Sequence, residues 1–129
     1  MYSPHYLAFV DHFNRGEYRA CVEPLEEIWF VQRDDFHKAL IRLVVGLNQI
    51  KLGLESGPRF LLTTASELLV PYAPYHCGLD IVALRDFMAR QEGLIGTNVD
   101  TQAIQPFIIR LEPRPNDTQG GQDTSSEEL

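Results

Sequence analysis

Apolar residues recur at helical spacing along most of this chain, and cap residues and prolines divide the pattern into segments. Ser3-Pro4, a capping residue followed by proline at the first helical position, precedes Tyr6, Leu7, Phe9, Val10 and Phe13. This predicts a first helix to about Asn14, stopped at Gly16. A second helix reaches Trp29, and its start depends on Pro24, which cannot donate to the carbonyl of Ala20. Either the helix begins near Cys21 or Val22, with Pro24 in its first turn, or it is kinked. Asp34 or Asp35 caps a third helix through about Leu54. Phe36, Ala39, Leu40, Ile41, Leu43, Val44, Val45, Leu47 and Ile50 cover most of its circumference, the mark of a buried central helix. Ser56-Gly57-Pro58 repeats the cap-and-proline signal ahead of a fourth helix that stops at Pro71. Asp80 caps a fifth, from Ile81 to about Gln91, closed by Gly93.

Between the last two helices, residues 71–78 read as an aromatic, proline-rich loop packed on the body. After Gly93 the helical period disappears, and Phe107-Ile108-Ile109-Arg110-Leu111 reads as an extended arm between prolines. A lone strand is marginal by itself, so the arm must lie on the helices, pair with another chain or be loosely held. Residues 114–129 have almost no apolar surface to offset the entropy of ordering, and a disordered acidic tail is expected there. The fold class is therefore all-α: a single-domain bundle of about five helices around a buried third helix, with an extended C-terminal arm, over residues 1–113.

Composition narrows the functional classes. A chain of 129 residues with 44% hydrophobic content suits one globular domain. A net charge of −7 without clustered Lys or Arg gives no footprint for nucleic acid. No apolar run approaches the roughly 18 to 20 residues of a membrane span, and the N-terminus lacks a leader pattern. A soluble, cytoplasmic protein is expected. Cys21 and Cys77 are too few for a disulfide framework and have no metal-ligand spacing, so both read as free thiols, Cys21 as a buried small hydrophobe.

The candidate chemistry lies in a polar seam. Lys38, Arg42 and Gln49 interrupt the apolar surface of helix three, and at about 100° per residue they fall within roughly 40° of one another. Glu23, Glu26 and Glu27 share a face of helix two. If the two stripes meet, Arg42 and Lys38 neutralise carboxylates that are costly to bury alone, giving a structural ion-paired seam. The alternative is a small-molecule or metal site, or an enzyme, centred on Glu23 and Glu26. Against it, no histidine falls on these faces, and a guanidinium competes with a cation. No catalytic residue, metal ligand or cofactor is assigned. His5 and His12 share a face of helix one as solvated or capping residues, and His37 takes a surface position by default. Trp29 is expected to be a core side chain with its indole N–H satisfied.

Phe13-Asn14-x-Gly16-Glu17-Tyr18, Glu23-x-x-Glu26-x-x-Trp29, the apolar helix from Phe36, Gly57 and Pro74-x-x-x-Gly78-Leu79-Asp80 together resemble a known family. It is domain of unknown function family 309, small helical proteins of bacteria and cyanobacteria, and the resemblance covers about residues 9–90. Glu23, Glu26, Trp29 and Gly57 match its pattern. That pattern often has His at Val22 and Gln49, Gln at Lys38 and Arg42, Gly at Ala39 and Ala at Pro58. The resemblance implies a helical fold and supplies no established activity. Without a catalytic constellation, and with an arm that needs a surface, the chain reads as a non-enzymatic interaction or scaffold protein. A homodimer and an unidentified protein partner are expected.

Overall fold

The computed structural model describes residues 2–97, 104 and 107–111. Among them, α1 spans Pro4–Asn14, with the Ser3 hydroxyl accepting from the Tyr6 N–H at 3.2 Å. The helix stops where Gly16 takes φ +76°, as expected of a residue with no Cβ. A 3₁₀ turn at Arg19–Cys21 leads into α2, Val22–Gln32, which places Pro24 in the first turn. Of the two arrangements open to the second helix, this is the start near Val22. The helix continues past Trp29 and is terminated by Arg33 in the left-handed region.

Helix α3, Asp35–Lys51, begins where the Asp34 carboxylate accepts from the His37 N–H at 3.0 Å. It ends short of the expected Leu54, because the chain turns through Gly53 at φ +85° and leaves Leu52 and Leu54 exposed. Helix α4 is Ser56–Leu69. Ser56 is its first helical residue and not its cap, and no side chain caps this end. Pro58 is accommodated because the N–H it lacks belongs to a first turn that has no intrahelical acceptor.

A 3₁₀ turn at Val70–Tyr72 follows, then a hairpin that no periodicity announced: β1, Tyr75–His76, pairs antiparallel with β2, Leu79–Asp80. Its turn residues, Cys77 and Gly78, both have positive φ. Helix α5, Ile81–Leu94, is capped by Asp80, whose carboxylate accepts from the Ala83 N–H at 2.9 Å. The helix runs through Gly93, where it was expected to close, and the left-handed glycine lies later, at Gly96.

Among the described residues the architecture is all-α, with only this two-stranded ladder added. Helix α3 packs against both α2 and α4, α5 packs on α4, and α1 packs on α2. Phe36, Ala39, Leu40, Leu43, Val44 and Leu47 of α3 are fully buried, so α3 is the central helix that its apolar circumference predicts. Phe9 and Phe13 from α1, Leu25 from α2, Leu62 and Leu69 from α4 and Phe87 from α5 close the core around it. Each such side chain contributes about 1.5–3 kcal/mol by leaving water. No described helix is long and apolar enough to cross a membrane.

The described part of the arm lies on the helices. Phe107 stacks on Phe87 at a centroid distance of 4.9 Å and meets Phe13 edge-on at 6.5 Å. Ile109 is buried, whereas Ile108 and Arg110 are exposed, the alternation of an extended segment. The Asn14 side-chain amide bonds both backbone groups of Ile109. Its Nδ2–H donates to the carbonyl at 2.9 Å, and its Oδ1 accepts from the N–H at 2.7 Å. The tail expected at 114–129 lies outside the described residues.

Candidate functional site

Glu23, Glu26 and Glu27 project from one face of α2, as their spacing requires, into an open groove of about 990 Å³. The opposite wall comes from α1, which contributes His5, Ala8 and His12, and the loop after α1 adds Glu17 and Tyr18. Asn48 and Lys51 line the groove at the end of α3. Four carboxylates, Arg19 and Lys51 therefore line one cleft together with apolar Val22 and Pro24.

Two interactions fix the groove's end. His12 Nδ1 lies 2.8 Å from Glu17 Oε1, and this hydrogen bond holds the Glu17 carboxyl below its ordinary pKa, with smaller help from the charges of His12 and Arg15. Lys51 Nζ donates to the Gly16 carbonyl at 3.0 Å and sits 5.6 Å above the Tyr18 ring. Below them Cys21 is fully buried. Its thiol contacts the carbonyls of Phe9 and Glu17 at 3.5 Å, and burial pushes its pKa up to about 12. A thiol so hard to ionise is a small hydrophobe and a poor nucleophile.

The two polar stripes do not share this groove. Lys38, Arg42 and Gln49 are half-buried and do not line it, and among the described residues no ion pair joins Lys38 or Arg42 to Glu23, Glu26 or Glu27. Among the described residues, ion pairs instead form locally: Arg15 with Asp11, His12 with Glu17, His37 with Asp34 and Arg90 with Asp86. Gln49 faces α4, where its Oε1 is buried, has no hydrogen-bond partner among the described residues and lies against the Cα of Gly57. The α3 residues that line the groove with the glutamates are Asn48 and Lys51, one position before and two after Gln49.

Two single-residue expectations are corrected. Trp29 is half-buried and not a core side chain, because it lies near the end of α2, where the Arg33 guanidinium stacks 4.5 Å above its ring. His37 is 5% exposed and not a surface residue. Its Nδ1 is 2.8 Å from the Asp34 carboxylate, and its ring packs edge-on to Phe36 and Tyr6. An aromatic cluster formed by α1, α3 and the hairpin covers it, and nothing near His37 in sequence signals that cover. The glutamate face of α2 carries no histidine, as the sequence indicates, but His5 and His12 line the same groove from α1. Their spacing of seven placed them on one face of α1, but the packing direction of that face is a tertiary fact.

Among the described residues no three His, Cys, Asp or Glu side chains are arranged to hold a metal ion. No curated protein and no solved structure matches the chain. Residues 6–60, from α1 into the first turns of α4, match the model of the family described as Domain of unknown function (DUF309), which the chain resembles over that segment.

Proposed function

We propose that this is a non-enzymatic interaction or scaffold protein of the cytoplasm, a homodimer that receives a cationic segment of a protein partner in the groove between α1, α2 and the end of α3. The observation that carries the reading is the gathering of Glu17, Glu23, Glu26 and Glu27 around an open groove of about 990 Å³. A cleft of that size and openness suits an extended segment better than an enclosed small molecule. Its excess of carboxylates selects positive charge, and Val22, Pro24 and Tyr18 offer apolar contact to the stems of Lys and Arg side chains. Cys21, a buried thiol outside any disulfide, agrees with a reducing compartment.

Titration of isotope-labelled protein with a synthetic Lys- and Arg-rich peptide tests it. Shifts are expected at groove residues, with affinity falling as salt rises and at least tenfold on Glu23→Lys combined with Glu26→Lys. Binding indifferent to both changes overturns the groove reading. A second reading, a metal or small-molecule site at Glu23 and Glu26, is favoured by the entry of His5 and His12 into the same groove. Stoichiometric metal in the purified protein, lost on Glu23→Gln, selects that reading over the first.

A further inference from the structure

An extended segment has two hydrogen-bonding edges, and in the arm one is closed and the other open. In extended backbone the N–H and C=O of one residue point to the same side, and those of its neighbours point to the other. Asn14 takes both groups of Ile109, so its side chain closes one edge as a neighbouring strand would. The groups of Ile108 and Arg110 then face the opposite side. Among the described residues neither makes a hydrogen bond, and both residues are exposed.

Beside the arm is a second cavity of about 230 Å³, lined by Leu79, Ala83 and Leu84, by exposed Asp80 and by residues 107–110. An unpaired edge next to an apolar recess is a template for strand addition. The occupant that fits it best is the same arm of a second copy. Its Arg110 complements Asp80, and its apolar residues suit a recess of that size. The edge groups of Ile108 and Arg110 are also self-complementary when two arms run antiparallel about Ile109.

We propose that two copies of this chain associate through their arms, pairing antiparallel with Ile108 of each opposite Arg110 of the other, and with Arg110 of each copy set beside Asp80 of its mate. This rests on the homodimer part of the proposed function and names its surface. A two-fold interface of this kind is self-complementary, as closed dimers require. Arg110 on the edge also discourages open-ended pairing with unrelated strands.

The test is light scattering after size exclusion over a concentration series, combined with amide hydrogen exchange. The wild-type chain is expected to approach twice its 14.7 kDa mass as concentration rises. Ile108→Pro removes an edge N–H from each copy and leaves the Asn14 contacts intact. It is expected to weaken association about ten- to thirtyfold without altering the melting temperature. Arg110→Pro serves as the second variant. In the wild-type chain the amides of Ile108 and Arg110 gain protection with concentration, while that of Ile109 is protected throughout. A chain that stays monomeric at every concentration overturns the homodimer and this surface together, leaving the groove reading to its own titration. A dimer that survives both proline variants, with no concentration-dependent protection at Ile108 or Arg110, overturns the surface alone.

Discussion

Gln49 presents a small conflict. Its Oε1 is buried without a hydrogen-bond partner among the described residues and lies so close to Gly57 that a Cβ there would collide with it. Gly57 therefore serves close approach and not backbone freedom, since it is the second residue of α4 in ordinary helical geometry. Gly57→Ala must push the Gln49 amide out of its site, and a cost of about 1–2 kcal/mol is expected in chemical denaturation. With Gln49→Ala in the background the obstacle is gone and the sign reverses. Gly57→Ala then becomes neutral or stabilising by up to about 0.5–1 kcal/mol, because alanine is the better helix former. Equal effects in the two backgrounds would show that the contact does not constrain position 57. The resemblance drawn from the sequence placed both residues among its marked positions, but their contact with each other was not legible. It joins α3 to α4 across a turn whose geometry is set by Gly53.

The elements themselves were largely legible, because capping and periodicity are local. Ser3, Asp34 and Asp80 start their helices as the sequence indicates, each accepting from the N–H three residues on. The errors arise where a local signal had no structural consequence. Gly93 offered a stop that α5 ignores, since a glycine within a helix costs only about 1 kcal/mol against alanine. The hairpin at 75–80 was invisible because two-residue strands carry no period. The arm was recognised as an element in need of a surface, but its clasp was not, since no spacing rule connects Asn14 to Ile109. That clasp is testable at its own scale. Asn14→Ala leaves an N–H and a C=O of Ile109 without partners, and a loss of about 1–3 kcal/mol is expected, with faster amide exchange at Ile109. Asn14→Asp keeps the acceptor for the N–H but loses the donor to the carbonyl, so it should fall between wild type and alanine. An aspartate variant as weak as alanine would mean that the N–H contact contributes nothing.

At the scale of the whole molecule, the site was only half legible. Glu23, Glu26 and Glu27 share a face, and that face does line a cleft. Which helices form the other wall depends on how α1 and α3 are rotated about their axes, and helical periodicity gives a face without naming what it meets. The same reasoning applies to the core. Phe13 of α1 and Phe87 of α5 come from distant parts of the chain, and Phe107 of the arm bridges them. The arm should thus be part of the folding unit, in contrast to the residues after it, whose composition offers almost no apolar surface to bury. Two truncations separate these roles. A chain ending at residue 113 should melt within a degree or two of the full-length protein. A chain ending at residue 106 loses the buried Ile109 and the Phe107 stack and uncovers Phe13 and Phe87. At roughly 2–5 kcal/mol for a large apolar side chain removed from a core, its melting temperature should fall by about 10 °C or more. Binding of a hydrophobic dye should rise with it, because the uncovered rings form a contiguous apolar patch. If the two truncated chains melt alike, the arm is an accessory lying on a finished core. If only the shorter one is destabilised, the bundle is completed by a segment that is not helical.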